Sequence, residues 1–173
     1  GGIWTGGGGS FAPNANALNA IYSPSAGEIT SGAVTLTLTS TGNGNCTAVA
    51  DNVTLTYTTI PTANAGTDEV RCANNTSVAL SGSVTTATGG VWSGGLGIFS
   101  PSPTALNATY VPTAAEVSTG TLTLTLTTSG VGNCNNVSDD MDITFTAGPT
   151  VSAGTDQTVC ANSPNVTLGG SVT

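Results

Sequence analysis

The chain repeats itself. Trp4 returns as Trp92, Phe11 as Phe99, Tyr22 as Tyr110, Glu28 as Glu116, Cys46 as Cys134 and Cys72 as Cys160, each 88 residues on and with no insertion between. Roughly half of the aligned positions are identical, and most of the rest are swaps of like for like, such as Ile3 for Val91 and Leu55 for Ile143. Solenoid units of roughly 20–50 residues need neighbours to bury a core, whereas a unit of this length can bury its own. The repeat therefore predicts an array of semi-independent domains, of which the 173 residues hold almost two periods.

The segments 61–66 and 148–154 each follow a strand-like run and are rich in Pro, Gly and small polar residues, which mark connections. Cutting there gives three pieces. Residues 1–60 are expected to be the C-terminal part of one repeat, 61–148 a complete repeat, and 149–173 the N-terminal part of the next.

Strict alternation of Leu and Thr over 121–127 and Val34–Thr39 puts the apolar side chains on one face and Thr on the other, which predicts half-buried strands. The runs 140–146 and 52–58 alternate in the same way, and 77–84 and 105–110 also read as strands. Trp92 and Phe99 flank a Gly-rich turn between two short strands, an earlier strand falls near 68–72, and 112–117 is the one place for a helical turn. About seven short strands separated by turn signals predict an all-β fold of tandem immunoglobulin-like β-sandwiches. Trp92, Leu124, Leu126, Ile143, Phe145, Val78, Leu80 and Tyr110 are the expected core of the complete repeat.

Lys and Arg together number one, Arg71; there is no His, and nine acidic residues give a net charge of −8. Without a basic patch, binding to nucleic-acid phosphates or to anionic membranes has almost no electrostatic basis. No apolar run approaches the roughly 18–20 residues of a membrane-spanning helix. The usual bases for a Ser or Cys nucleophile are missing, the acids are sparse, and no catalytic set can be assembled. Gly6–Gly9 and Gly94–Gly97 lack the Lys and the following helix of a phosphate loop and read as turns.

Ala65-Gly66-Thr67-Asp68-Glu69-Val70-Arg71-Cys72 and its second copy, Ala153-Gly154-Thr155-Asp156-Gln157-Thr158-Val159-Cys160, resemble the opening of PKD-like repeats in surface proteins of the Bacteroidetes. The continuations Val78–Gly82, Gly90–Gly94, Gly132–Cys134 and Ser138–Ile143 keep to that pattern, so the resemblance runs through the whole chain. Glu69-Val70-Arg71 departs from it, standing where the pattern has Gln-Thr-Val. The Pro-Thr-Ala-Ala-Glu-Val and Leu–Thr segments look most like the long arrays of SprB-type gliding-motility adhesins. That resemblance implies a very long filament exported by the type IX secretion system to the bacterial outer surface and used for adhesion or gliding. Its partners would be neighbouring repeats of the same chain, identical chains in a fibre, and surface polysaccharide or a substratum gripped by other parts of the protein.

Two cysteines per period, in a chain that the resemblance implies is exported and without the CxxC spacing of metal sites, favour disulfides. Cys72–Cys134 lies within one repeat and is the first pairing expected, although a simple sandwich can put the two turns that carry them at opposite ends. Cys46–Cys72 across a joint is the alternative, and unbridged thiols are the third. No cofactor is expected, apart from a weak calcium candidate in Asp68, Asp139, Asp140 and Asp142. Asp140 and Asp142 align with Asn52 and Thr54, so these carboxylates are more simply read as a solvated turn or a charged strand edge.

Two functional classes follow: a spacer whose length and stiffness are its function, and a carbohydrate- or protein-binding module acting through loops on a rigid sandwich. The positions that differ between copies, Gly8/Leu96, Ser10/Ile98 and Asn43/Val131, are the candidates for the second.

Overall fold

The Leu–Thr runs form the central strands of the protein. A computed structural model describes all 173 residues and divides them into two units, Gly1–Ile60 and Pro61–Thr173. The first unit contains β1 (Gly2–Thr5), β2 (Ser10–Ala12), β3 (Ile21–Ser23), α1 (Ala26–Ser31), β4 (Ala33–Ser40) and β5 (Ala50–Thr56). Its sheets are an antiparallel β1-β4-β5 and a β2-β3 hairpin.

The second unit runs through β6 (Thr62–Asn64), β7 (Glu69–Cys72), β8 (Val78–Ala79), β9 (Ser83–Thr85), β10 (Gly89–Ser93), β11 (Ile98–Ser100), β12 (Thr109–Val111), α2 (Ala114–Thr119), β13 (Thr121–Ser129) and β14 (Ser138–Thr146). It ends in β15 (Val151–Ser152) and β16 (Ser171–Val172). One sheet has the order β10-β13-β14-β7 and faces β11-β12-β8, with a β6-β9 ribbon beside them. This is the all-β sandwich that the periodicity predicts. Of the nine segments from β6 to β14, β7 is the strand expected near 68–72, β8 and β9 are the expected 77–84 strand interrupted at Ser81-Gly82, and β6 is additional to the sequence reading.

Every element of the first unit has its counterpart 88 residues later: β2, β3 and α1 become β11, β12 and α2 without a shift, and the other boundaries move by a residue or two. Register repeats as well, Phe11 opposite Tyr22 and Phe99 opposite Tyr110. The eight expected core residues are all buried, joined by Ala65, Ala108 and Met141. Trp92 packs in this core and donates its indole N–H to the Leu106 carbonyl at 3.2 Å.

Three local expectations need correcting. The segment 61–66, read as a connection, contains β6, whose Ala63 faces Val84. The run 77–84 is two strands, because the backbone at Gly82 lies so close to Leu126 and Trp92 that a Cβ would be 2.7 Å from each. The run 105–110 is strand only from Thr109, since Ala108 N–H closes a turn on the Ala105 carbonyl.

The complete repeat has two distinct poles. At its N-terminal pole the Ala65 N–H donates to Asp139 Oδ2 at 2.8 Å, next to the start of β14. At the other pole β7 lies parallel to the end of β14, with Cys72 opposite Thr146. Gly148, where the chain leaves, packs beside Asn74.

Candidate functional site

The densest polar arrangement in the molecule is built around Glu116. Thr113 caps α2, with Thr113 Oγ1 accepting from the Glu116 N–H at 3.3 Å and Glu116 Oε2 accepting from the Thr113 N–H at 2.7 Å. This Thr-x-x-Glu box satisfies two of the unpaired donors of a helix start reciprocally. Gly120, with φ of +85°, ends the helix in the left-handed conformation that suits glycine.

The other carboxylate oxygen leaves the helix and reaches into the sandwich. Glu116 Oε1 accepts from Tyr110 Oη at 2.7 Å and from the Leu96 N–H at 2.6 Å, and Tyr110 Oη accepts from the Gly97 N–H at 2.8 Å. One side chain thereby ties together α2, β12 and the Gly-rich loop between β10 and β11. Glu116 is buried, and a buried carboxylate is tolerated only when it is well supplied with donors. Desolvation pushes its pKa up. The N–H groups of Thr113 and Leu96 and the hydroxyls of Tyr110 and Thr113 outweigh that and hold it at about 2. Burial, reinforced by the bond to Glu116, pushes the Tyr110 phenol up to about 12.

The glycines explain how the loop comes so close. At Gly95, with φ of +69°, a Cβ would collide with Tyr110 Oη. The first unit repeats the arrangement with Tyr22 Oη to Glu28 Oε1 at 2.6 Å, Gly8 N–H to Glu28 Oε1 at 2.8 Å and Ser25 as the cap. There the hydroxyl of Tyr22 and the N–H of Ser25 are the main causes of a Glu28 pKa of about 2. The sequence reading takes the Gly-rich stretches as turns and does not assign the clasp. Its signal is nevertheless present, as Ser25-x-x-Glu28 and Thr113-x-x-Glu116 recur in register with Tyr22 and Tyr110.

The candidate calcium ligands do not converge. Asp139 lies on the core-facing side of β14 and is engaged by the Ala65 N–H. Asp140 and Asp142 point to the opposite, exposed side, as period-two alternation requires. Asp142 Oδ1 accepts from Thr123 Oγ1 at 2.6 Å, and Asp68 Oδ1 accepts from the Asp142 N–H at 3.0 Å. Asp68 and Asp142 thus meet along one edge, while no three carboxylates or thiols surround a common point.

Cys46, Cys72 and Cys160 are thiols. Cys72 ends β7 opposite Thr146, whereas Cys134 sits in the turn before Ser138, held by its N–H on the Val131 carbonyl. The length of β14 therefore separates them, roughly 25 Å at ~3.3 Å per residue, against the ~7 Å between Cα atoms that a disulfide can span. The Cys72–Cys134 bridge does not fit a single repeat, for the reason of opposite ends. Cys46, of the alternative pairing, is exposed in the β4–β5 connection of the first unit.

The Thr faces of the sheets are laced by cross-strand bonds, Thr35 to Thr54 at 3.1 Å and Thr37 to Asn52 at 2.8 Å among them. Such pairs stabilise a sheet from its solvated side. Near the Glu116 clasp, Leu96 and Ile98 replace Gly8 and Ser10 of the first copy and are exposed. No helix is long and apolar enough to cross a membrane.

No family model matches the chain, and no curated protein matches it by sequence. Among solved structures it is similar to mouse cadherin-23 EC22-24, at a TM-score of 0.38 and 12% identity over 86% of this chain and 54% of that one. It is similar to the human desmocollin-1 ectodomain at a TM-score of 0.38 and 11% identity, over 84% of this chain and 34% of that one. For human mucin-like protocadherin EC1-2 the TM-score is 0.35 and the identity 10%, over 86% and 85%. The chain thus spans about half the length of the cadherin-23 structure and a third of the desmocollin structure.

Proposed function

We propose that this chain is a spacer segment of a long extracellular surface filament or adhesin, in which each repeat contributes length and the chemistry of grip lies elsewhere. The observation that carries this reading is the polarity of the complete repeat. The polypeptide joins it beside Asp139 and leaves beside Cys72, at opposite ends of β14, so repeats strung on one chain add their lengths. Cores closed within the repeat and faces of hydrogen-bonded Thr suit a module that touches only its chain neighbours. The resemblance of the 65–72 and 153–160 segments to PKD-like repeats supports a bacterial outer-surface location, type IX export and a role in adhesion or gliding. Electron microscopy of polypeptides with two, four and eight periods tests the reading. A contour length that grows in proportion to the number of periods is expected; compact particles of period-independent diameter would sink it.

A second reading has one observation in its favour. Leu96, on the loop held by the Glu116 clasp, and Ile98, at the start of β11, are both exposed and apolar, and loops held by a rigid sandwich are where binding residues sit. Retention of the complete repeat on a glycan array, lost on Leu96→Gly with Ile98→Ser, would favour it over a pure spacer.

A further inference from the structure

Charge is unevenly placed on the complete repeat. From Ala73 to Ala115 the chain carries no Asp, Glu, Lys or Arg. Asp68, Glu69 and Arg71 lie at β7, and Asp139, Asp140 and Asp142 lie on β14, so the sheet β10-β13-β14-β7 holds all the charge of the repeat except Glu116. Both Glu116 oxygens are engaged in the clasp and the helix cap. The facing sheet, β11-β12-β8, has no charged residue in any strand.

That uncharged sheet is apolar on its outer side at β11. Phe99 and Tyr110 point inward, their ring centroids 4.8 Å apart, so by alternation Ile98 and Val111 point outward, directly opposite each other. Ile98 is 69%, Val111 43% and Leu96 80% exposed. In the first unit the same three places are Ser10, Ser23 and Gly8, with Ser10 opposite Ser23. The hairpin is thus polar outside in one unit and apolar outside in the other, although both keep the inward Phe and Tyr. β11 is also the end strand of its sheet, paired with β12 on one side only. On its other side no main-chain hydrogen bond forms within the repeat. Edge strands are ordinarily guarded by charge or proline, and Ile98–Ser100 contains neither.

We infer that β11 is the docking edge for a second molecule of this chain, the two β11 strands pairing antiparallel about a two-fold axis. An unpaired edge calls for a strand, and an apolar surround without counter-charges calls for a strand whose own surround is apolar and uncharged. β11 itself meets both demands. Two chains of net charge −8 repel each other, and they repel least across the sheet that carries no acid. The axis stands perpendicular to the sheet, so Leu96, Ile98 and Val111 of the two molecules lie together on one side of a joined, six-stranded sheet. Main-chain pairing supplies the affinity, and these side chains select this hairpin over its serine-bearing counterpart. The contact is isologous and uses up the edge, so association through it stops at the dimer. The inference rests on the second reading above and names another molecule of this chain as what Leu96 and Ile98 take.

Interfaces below ~1,200 Å² are weak and transient, so the test is sedimentation equilibrium of the full chain in a series reaching ~1 mM. Mass is expected to rise from 16.7 kDa toward twice that value, with amide exchange of Ile98–Ser100 slowing as concentration rises. Leu96→Gly with Ile98→Ser and Val111→Ser installs the residues of the first unit, which forms the same hairpin with them. This triple change is expected to weaken the dimer at least ~10-fold. Ser100→Asp, an exposed change on the edge itself, sets two carboxylates across the seam and also weakens the dimer, more at low salt than at high. A mass of 16.7 kDa throughout, dimers of unchanged strength in both variants, or dimers with unslowed β11 exchange would overturn the inference. A chain that stays monomeric yet is retained on a glycan array through Leu96 and Ile98 would overturn it too, and would leave the second reading standing.

Discussion

Trp4 and Trp92 hold the same place in the same pattern of strands, and each indole N–H donates to a carbonyl fourteen residues on, Leu18 at 3.3 Å and Leu106 at 3.2 Å. Yet Trp92 is 2% exposed, while Trp4 is half-buried. The same contrast runs through the pair of units: Met141 is 3% exposed and its counterpart Val53 is 40% exposed. Asp139 accepts from the Ala65 N–H, whereas its counterpart Asp51 turns to the neighbouring Asn52 N–H at 2.9 Å. The strands, the clasp and the helix cap of Gly1–Ile60 form within those residues, and the core of the second unit includes Ala65, Val78 and Leu80 from the 61–85 segment. Local sequence sets the elements; burial depends on which segment lies between the sheets.

Amide exchange separates the two units most sharply. Val78 and Leu80 bury about 1.5–3 kcal/mol each, so the β13–β14 amides are expected to be protected roughly a thousandfold more than those of β4–β5. Equal protection of the two strand pairs in a polypeptide of residues 1–173 would break the comparison. Trp92→Ala is expected to cost about 3–5 kcal/mol in chemical denaturation, as for other large core truncations, and Trp4→Ala less than half of that.

Glu116→Gln keeps the shape and loses the charge, and about 1.5–3 kcal/mol is expected to go with the charge-assisted bonds. Its pH dependence has a definite sign. With a folded pKa of about 2, below that of an unfolded carboxylate, Glu116 stabilises the fold fully above pH ~4.5, and this contribution is lost as pH falls toward 2. Tyr110 acts at the other extreme, with a folded pKa of about 12 against an unfolded ~10, so its contribution is present below pH ~10 and lost as pH rises toward 12. Thermal denaturation of wild type and Glu116→Gln between pH 2 and 7 is expected to converge at the acid end. Gly27→Ala is the smallest change: position 115 already carries Ala, nothing lies within 4 Å of the added Cβ, and α1 should gain about 0.5–1 kcal/mol.

Much of this was legible beforehand, where one physical signal acted alone. Leu124 and Leu126 alternate with Thr because one face of β13 meets the core, and they are fully buried. The helical turn expected over 112–117 is α2, capped by Thr113 and Glu116. Failures came where packing overrode local pattern. Alternation over 77–84 promised one strand, and the approach of Leu126 and Trp92 at Gly82 broke it. Ala63 looked like linker because nothing local says that it will face Val84. The four Asp residues looked like a cluster only when counted along the chain; alternation along β14 already divides Asp139 from Asp140 and Asp142. The clasp needed a fold to be seen, since only folding brings the Leu96 and Gly97 amides to Tyr110 and Glu116.

The parallel pairing of β7 with β14 bears on how such a module behaves when stretched. Tension from the preceding chain draws β7 back from Glu69, while tension from the following chain draws β14 forward from Thr146. The strands slide along each other's axes, so the rungs from Ile143–Glu69 to Thr146–Cys72 bear load together. A hairpin pulled at its open end gives way one rung at a time; this seam must yield all at once, and it closes the repeat at the end where the chain leaves.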